Sequence, residues 1–308
     1  MRIVSLFSGA GGLDWGFLKA GHQIVWANDN FEVAVETYKQ NIGAHIVLKP
    51  IEKVKNSEIP SCDVVIGGFP CQGFSVANRK RTAKDKRNTL YLQFLRILKA
   101  KKPKYFLAEN VKGLLSLEQG KVFEAMINDF SKAGYKVKHT VVNAADYGVP
   151  QKRERVIILG TRKTEDKEID FPAPTHCSPG KANLNYLKPW ISIGEALKGI
   201  PEPGNAANLP NHTCSKYKLI FNGHIGHRRI DPTKPAPTVT GRGDGRGGVV
   251  VLHHPKNHRR MSARELATAQ SFPLDYNFYG SQSSAYRQIA NAVPPKLALS
   301  LALSIPRD

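Results

Sequence analysis

Short apolar, β-branched runs alternate with amphipathic stretches over the first 160 residues of the chain. Apolar positions at helical spacing predict a helix over residues 89–100, with Leu90, Tyr91, Phe94, Leu95, Ile97 and Leu98 on its buried side. The runs that predict strands are 2–6, 23–27, 63–67, 104–108, 136–142 and 156–161. The alternation predicts an α/β fold with an open, largely parallel sheet covered by helices on both faces. Ligands of such sheets bind at the carboxyl ends of the strands, so the residues that follow each strand are functional candidates.

The pattern changes near residue 171. Residues 172–258 contain 11 of the 20 prolines, 11 of the 26 glycines and 7 of the 10 histidines, which favours turns and short strands over long helices. Helical patterns return at 262–270 and 295–305. We therefore predict a large domain of residues 1–171 and 275–308, interrupted by a smaller loop-rich domain of residues 172–274.

Composition places the chain among soluble globular proteins, with 41% hydrophobic and 23% charged residues in 308. No apolar run approaches the roughly 20 residues of a membrane span, and the apolar run at residues 3–7 is too short for a secretory core. We therefore expect a cytoplasmic protein without a membrane partner. The four cysteines lack metal-binding spacing, which argues against a disulfide framework or a structural metal.

The positive charge is unevenly distributed. The net charge is +20 overall, but −1 over residues 1–75, +14 over 76–163 and +7 over 164–308. An excess of this size indicates a polyanionic partner. We interpret the first quarter as serving a small molecule and the remainder as presenting a basic face to nucleic acid.

A glycine-rich turn, residues 7–14, follows the first predicted strand and precedes a helix. Glycines there allow a close approach to a ligand, but Asp14 stands where a dinucleotide fingerprint has its third glycine, and a carboxylate would repel a pyrophosphate. Asp29 ends the second strand, where it could accept hydrogen bonds from ribose hydroxyls or cap the helix that starts near Phe31. A nucleoside cofactor without phosphates, such as S-adenosylmethionine, fits both observations.

A second set of reactive side chains follows later strands. Cys71 lies after strand 63–67 and before a basic run, an environment that favours the thiolate. Glu109 ends the next strand, and Arg153 and Arg155 are two apart on an extended chain and so share a face. Together they are suited to attack on a nucleic-acid base.

At this point the sequence resembles the DNA (cytosine-5)-methyltransferases of bacterial restriction–modification systems, in motif order and over nearly the whole chain. The matching segments are the cofactor loop at 7–12, the Pro-Cys motif at 68–75, the Glu-Asn-Val motif at 109–111, the Gln-x-Arg-x-Arg motif at 151–155, and the terminal motifs at 260–273 and 288–295. Two positions depart from the family pattern: Ala290 replaces a usual Gly and Thr268 a common Arg. Both lie away from the reacting groups.

The resemblance implies a Rossmann-like S-adenosylmethionine-dependent methyltransferase domain and a smaller loop-rich target-recognition domain. It also implies S-adenosylhomocysteine as product, no metal, and catalysis by Cys71, Glu109, Arg153 and Arg155. The residues expected to bind the cofactor are Phe7, Gly9, Gly11, Gly12, Leu13, Asp29, Asp63 (an adenine contact), Pro70, Leu90, Asn291 and Val293.

In the chemistry that the resemblance implies, Cys71 adds to C6 of cytosine, which makes C5 nucleophilic. Glu109 would act near N3 and the exocyclic amine, which requires a carboxyl group kept partly protonated. Arg153 and Arg155 would orient the carbonyl oxygen of the base and stabilise negative charge there. The base must first be rotated out of the duplex.

Basic and glycine-rich segments are the candidates for DNA contact. The stretch 78–87 follows the nucleophile and is interpreted as a mobile lid over DNA phosphates, with a solvated charge run as the alternative. Arginines near 226–248 are candidate readers of guanine. The predicted DNA-binding residues are Ser75, Arg79, Arg81, Lys84, Arg87, Arg228, Arg229, Thr238, Arg242 and Arg246.

We therefore predict methylation of cytosine C5 within a short sequence of double-stranded DNA, by a protein that is a monomer on DNA and has a cognate restriction endonuclease as a candidate partner. Three alternatives stay open: a transfer-RNA cytosine-5 methyltransferase, a catalytically silent DNA-binding protein, and a nicotinamide oxidoreductase supported only by the glycine turn and Asp29.

Overall fold

The structure is a computed structural model that describes residues 1–70, 90–180, 186–203, 208–213, 230–240, 252–256 and 259–306. Its main feature is a seven-stranded sheet in the order β3-β2-β1-β4-β5-β7-β6. The strands are β1 (Arg2–Leu6), β2 (Gln23–Asp29), β3 (Ile46–Leu48), β4 (Val64–Gly67), β5 (Tyr105–Val111), β6 (Tyr135–Asn143) and β7 (Glu154–Arg162). The helices around this sheet are α1 (Gly12–Lys19), α2 (Glu32–Asn41), α3 (Leu90–Lys101), α4 (Lys121–Lys132) and, near the carboxyl terminus, α8 (Pro295–Leu303).

The sheet is parallel from β3 to β5, as the alternating pattern predicted. Strand β7 is antiparallel to both of its neighbours, β5 and β6. The amino end of β7 therefore lies at the same edge of the sheet as the carboxyl ends of β1, β2, β4 and β5. This edge, which we call the carboxyl edge, is where the predicted site residues should meet.

Alternating side chains along the buried strands form two separate cores. On β5, Tyr105 and Leu107 face the core beneath α1, α2 and α8, whereas Phe106 and Ala108 face the core beneath α3 and α4. The second core is aromatic: Phe106 packs against Phe94, Phe130 and Tyr135, with ring centroids 4.9 to 5.9 Å apart. Both faces of the sheet are thus covered by helices, as the alternation of strand and helix patterns predicted.

The α3 prediction is confirmed, with Phe94, Leu95, Ile97 and Leu98 buried and Leu90 and Tyr91 partly buried. Strand β3 was not predicted, because only Ile46 of its three residues is fully buried and so short a run has no clear period.

The proline- and glycine-rich region folds around a third core. Its described elements are β8 (His176–Cys177), β9 (Lys188–Pro189) and α5 (Ile193–Ala196), and the chain after it forms α6 (Ala263–Ala269) and α7 (Gln282–Asn291). Residues from α5, α6 and α7 form the third core together with Ala10 of the glycine turn. The predicted division at 274/275 stays a proposal; in the structure this core continues to Ala290, and α8 packs on α1.

Candidate active site

The glycine turn after β1 has the tight backbone that the sequence predicted. Phe7, Gly9 and Gly11 all have positive φ, at 55°, 54° and 82°. A side chain at Gly9 would meet no atom within 4 Å, so the turn opens onto free space at this point. At Gly12 a Cβ would lie 2.3 Å from the carbonyl oxygen of Val293, so the turn packs directly on the segment after α7.

Asp29 connects the turn to the helix that follows β2. Its Oδ2 accepts a hydrogen bond from the Gly9 amide at 2.8 Å, and its Oδ1 accepts one from the Phe31 amide at 2.8 Å. Burial raises the pKa of this carboxyl, and the amide hydrogen bonds oppose that shift. Asp29 therefore binds the amide of Phe31, the residue that precedes α2, and its carboxylate also lies beside the glycine turn.

Asp14 does not face the ligand side of the glycine turn. The expectation that its carboxylate would repel a pyrophosphate bound there is therefore wrong. The side chain is fully buried beneath the turn, where it accepts hydrogen bonds from the hydroxyls of Ser5 and Tyr38 at 2.9 and 2.8 Å.

The structure places one further predicted cofactor residue, Val293, directly against the glycine turn. Asn291 ends α7 and is exposed, and Val293 meets Gly12 two residues later. Leu13 is buried in the core under the turn, so its side chain does not line the opening. Pro70 and Leu90 border the undescribed segment 71–89 and are both partly buried.

The position of Asp63 contradicts its predicted contact with the cofactor. It precedes β4, and its Oδ2 accepts a hydrogen bond from the amide of Arg2, the first residue of β1, at 2.7 Å. Because β1 and β4 are parallel, these two residues lie at the amino edge of the sheet, opposite the glycine turn. Asp63 therefore does not lie with the other predicted cofactor residues.

Beside the turn, the end of β4 and the end of β5 lie against each other. A Cβ at Gly68 would be 3.1 Å from Oε2 of Glu109, so glycine there allows the carboxylate to lie against the loop. Asn110 donates from Nδ2 to the carbonyl of Phe69 at 3.3 Å, and Phe69 is anchored in the aromatic core. The loop that leads to Cys71 is thus fixed up to Pro70.

Glu109 and Arg155 form a largely buried ion pair at the carboxyl edge. Nε of Arg155 lies 2.9 Å from Oε1 of Glu109, and the two side chains are 12% and 11% exposed. Burial lowers the pKa of the Arg155 guanidinium, whereas the charge of Glu109 raises it. The pair presents a carboxylate and a guanidinium side by side, suited to an amide-like ring with both donor and acceptor groups.

The guanidinium of Arg153 does not lie with the Glu109–Arg155 pair, and this contradicts the catalytic role predicted for Arg153. Its guanidinium is buried and donates to the main-chain carbonyls of Val239, Ala290 and Ala292, at 3.2, 2.9 and 3.1 Å. Burial lowers its pKa well below the usual value, and the nearby charge of Arg155 adds to this. Arg153 therefore joins β7 to the third core. It precedes β7, so the extended-chain rule that predicted a shared face does not apply to it.

Gln151, the first residue of the Gln-x-Arg-x-Arg motif, links the start of β7 to the third core. It is fully buried, and its Oε1 accepts a hydrogen bond from the Val239 amide at 3.0 Å, while its Nε2 lies 3.4 Å from the Ala269 carbonyl. Thr238, a predicted DNA contact, donates its hydroxyl to the Lys152 carbonyl at 2.7 Å. The segment around Thr238 is thus held against the amino end of β7.

The remaining predicted residues lie outside the described part of the chain. They are Cys71, Ser75, Arg79, Arg81, Lys84, Arg87, Arg228, Arg229, Arg242 and Arg246, together with the predicted lid at 78–87. Among the residues that the structure does describe, no group of three or more His, Cys, Asp or Glu side chains is arranged to hold a metal ion. Within the same ranges, none of the helices is long and apolar enough to span a bilayer.

Comparison with known proteins gives a consistent result. A family model described as C-5 cytosine-specific DNA methylase matches residues 1–307. The type II methyltransferase M.NgoFVII of Neisseria gonorrhoeae is 41% identical to the chain, over 99% of the chain and 86% of that protein. M.MthTI of Methanothermobacter thermautotrophicus, also a type II methyltransferase, is 37% identical over 100% of the chain and 98% of its own length.

Solved structures share the fold. An E. coli prophage protein, a candidate DNA modification methyltransferase, superposes with a TM-score of 0.80 at 24% identity, covering 99% of this chain and 98% of that one. The Dnmt2 methyltransferase of S. pombe gives a TM-score of 0.72 at 19% identity, covering 99% and 97%.

Proposed function

The chain belongs to the C-5 cytosine-specific DNA methylase family and is a DNA cytosine-5 methyltransferase, and we propose that it methylates cytosine within one short sequence of double-stranded DNA, using S-adenosylmethionine. The observation that carries this proposal is the Glu109–Arg155 pair, which lies against Gly68 in the loop that leads to Cys71. A carboxylate, a guanidinium and a thiol, here proposed to be that of Cys71, are the groups that addition to a cytosine ring requires.

The open side of the glycine turn is the proposed cofactor site. Free space at Gly9, the carboxylate of Asp29 and the exposed Asn291 fit a nucleoside with ribose hydroxyls. S-adenosylmethionine, when bound, supplies the methyl group that C5 acquires. The residues proposed to hold it are Phe7, Gly9, Gly11, Gly12, Asp29, Pro70, Leu90, Asn291 and Val293, with Leu13 supporting the turn from below.

We propose one role for each protein group. Cys71, directly after the fixed Phe69–Pro70 segment, adds its sulfur to C6, and the electron pair of the C5–C6 double bond becomes available at C5. Glu109 stabilises the ring at N3 and the exocyclic amine as charge develops. Arg155, held in orientation by Glu109, donates to the carbonyl oxygen of the base. After methylation, loss of the C5 proton expels the thiolate and regenerates Cys71.

The substrate is proposed to be duplex DNA, contacted by the basic residues 79–87 and by the segments 228–246. The names of the relatives as type II methyltransferases favour a role beside a restriction endonuclease that cuts the same sequence. We propose that the enzyme acts on DNA as a monomer, because one base is processed at a time in one site.

The covalent step can be tested with DNA in which every cytosine carries fluorine at C5, made by amplification with the fluorinated nucleotide. Fluorine cannot leave as a proton does, so the sulfur–C6 bond persists after methyl transfer. With S-adenosylmethionine present, we expect a complex that survives denaturing electrophoresis, and none with Cys71→Ser.

Cys62→Ser is the matched control, because burial raises the pKa of the Cys62 thiol to about 12 and makes it a poor nucleophile. The same assay with fluorinated transfer RNA tests the alternative substrate. A trapped complex that survives Cys71→Ser, or one formed only with RNA, would contradict the proposal.

A further inference from the structure

Beneath the glycine turn lies a buried carboxylate that the proposed mechanism does not use. Asp14 is 0% exposed and lies in the first turn of α1. Its Oδ2 accepts the hydroxyl of Ser5, and its Oδ1 accepts the hydroxyl of Tyr38. Both donors come from other elements, β1 and α2, so one side chain joins three elements under the turn.

The hydrogen bonds continue from Asp14 in two directions. Towards the turn, the Ser8 hydroxyl donates to the Ser5 hydroxyl at 2.8 Å. Away from it, Nε2 of His45 lies 3.1 Å from the Tyr38 hydroxyl. Because Tyr38 has one proton and gives it to Asp14, this His45 nitrogen must be the donor. We call the set His45, Tyr38, Asp14, Ser5 and Ser8 the turn-support network.

The turn itself rests on this network. A Cβ at Gly11 would lie 3.0 Å from the Tyr38 ring and 3.1 Å from the Tyr276 hydroxyl, and that hydroxyl donates to the carbonyl of Ala10. Tyr38 and Tyr276 therefore pack closely against Gly11, as does Ile42, the side chain nearest to it, and the φ of 82° at this position favours glycine.

The buried surroundings of Asp14 disfavour its charged form, and its hydrogen bonds partly compensate. Burial raises the pKa of this carboxyl to about 6, the Ser5 and Tyr38 hydrogen bonds oppose the shift, and the charge of Asp29 adds to it. The other titratable groups near it are His45, whose pKa burial lowers, and Tyr276, whose pKa burial raises. Because the folded pKa exceeds the unfolded one, the ionised form disfavours folding above pH 6, and folding gains stability as pH falls through 6.

We propose that Asp14 is a positioning residue for the cofactor: its ionised carboxylate orders Ser5 and Tyr38 so that the glycine turn keeps its binding conformation, and protonation of Asp14 weakens cofactor binding. A buried charge that costs folding stability at neutral pH fits a role in binding better than a role in stability. The inference rests on the proposed use of S-adenosylmethionine.

The test is calorimetric titration of the full chain with S-adenosylmethionine and, separately, S-adenosylhomocysteine between pH 5 and 8. A group with a pKa of about 6 is about nine-tenths protonated at pH 5, so Kd should rise about ten-fold between pH 7.5 and pH 5. Asp14→Asn should bind more weakly at pH 7.5 and lack that transition. Tyr38→Phe removes a hydrogen bond that lowers the pKa, so its transition should move to higher pH.

Thermal unfolding at pH 7.5 separates positioning from misfolding, because Asp14→Asn removes the buried charge and should not lower Tm. Asp129→Asn is the matched control: Asp129 also accepts a tyrosine hydroxyl, from Tyr91, but on the other face of the sheet, and its profile should equal that of the wild type. Wild-type binding that is independent of pH, or unchanged in Asp14→Asn, would overturn the inference alone. No binding by the wild type at any pH would overturn the cofactor proposal and the inference with it.

Discussion

Among the described residues, Glu109 is the one on which the proposed chemistry depends most. We predict that Glu109→Gln, which keeps the shape but removes the charge, lowers the rate of methyl transfer about 10²- to 10⁴-fold, because the amide can neither exchange a proton with the ring nor hold Arg155 electrostatically. Single-turnover transfer of a labelled methyl group measures this. Binding of S-adenosylmethionine should stay within about two-fold of wild type, since Glu109 belongs to the base pocket.

Glu154→Gln is the control for that experiment. Glu154 begins the same strand as Arg155 but pairs with Lys112 on the exposed surface, at 3.0 Å. Exposed pairs contribute little, so the rate should not change. If Glu154→Gln lowered the rate of methyl transfer as much as Glu109→Gln, the loss would be due to a disturbance of strand β7 and not to the missing Glu109 carboxylate.

We expect Arg153 to contribute to the stability of the fold more than to methyl transfer. Arg153→Met leaves the carbonyls of Val239, Ala290 and Ala292 without their guanidinium donor, at a cost that the relieved burial of charge offsets only in part. We expect a loss of about 2–4 kcal/mol in the free energy of unfolding, measured with urea. The neighbouring Lys152→Met, an exposed site, should change it by less than about 1 kcal/mol. If Arg153→Met were fully stable but unable to methylate, the catalytic role first predicted for it would be restored.

At the scale of elements, close contact between α1 and α8 holds the two ends of the chain together. A Cβ on Gly16 would lie 2.4 Å from the Ala298 Cβ and 2.5 Å from the Leu299 amide nitrogen. Gly16→Ala should therefore destabilise the protein by about 1–3 kcal/mol, although alanine is the better helix former. Thermal unfolding checks this against Gly180→Ala, where a Cβ meets no atom within 4 Å and no change is expected. A stabilised Gly16→Ala would contradict the contact.

The elements also show what can be predicted from the sequence. Strands such as β1 and β5 are visible because four of the five positions of β1 and six of the seven positions of β5 are buried. The reversal of β7 is not visible, because pairing direction depends on contacts distant in sequence. In an all-parallel sheet Arg155 would begin its strand at the edge opposite Glu109. The antiparallel register, with Val111 beside Arg155, brings the two together.

Single residues illustrate the same limit. Asp63 and Asp29 are both acidic residues next to strands, yet they lie at opposite edges of the sheet because one precedes its strand and the other ends it. Arg153 and Arg155 are two residues apart, but the first lies before β7 and turns into the third core. Motif order identified the family; the position of each side chain required the fold.

For the whole molecule, three cores meet around one site. The glycine turn contributes Ala10 to the third core, and the third core in turn supplies the carbonyls that bind Arg153, next to Arg155. The glycine turn, the Glu109–Arg155 pair and the segment near Thr238 are therefore connected through packed and hydrogen-bonded residues. The net charge of +20, concentrated in the sequence beyond residue 75, favours binding to DNA, the substrate of this family.

The central claim is sequence-specific methylation of cytosine C5 in DNA by Cys71. The most direct test is to express the protein in a host that lacks cytosine methylation and to map 5-methylcytosine on the plasmid at base resolution, with a Cys71→Ala strain beside it. We predict methylation confined to one short motif and none in the Cys71→Ala strain. An unmodified plasmid despite soluble protein, or methylation that persists in Cys71→Ala, would contradict the account.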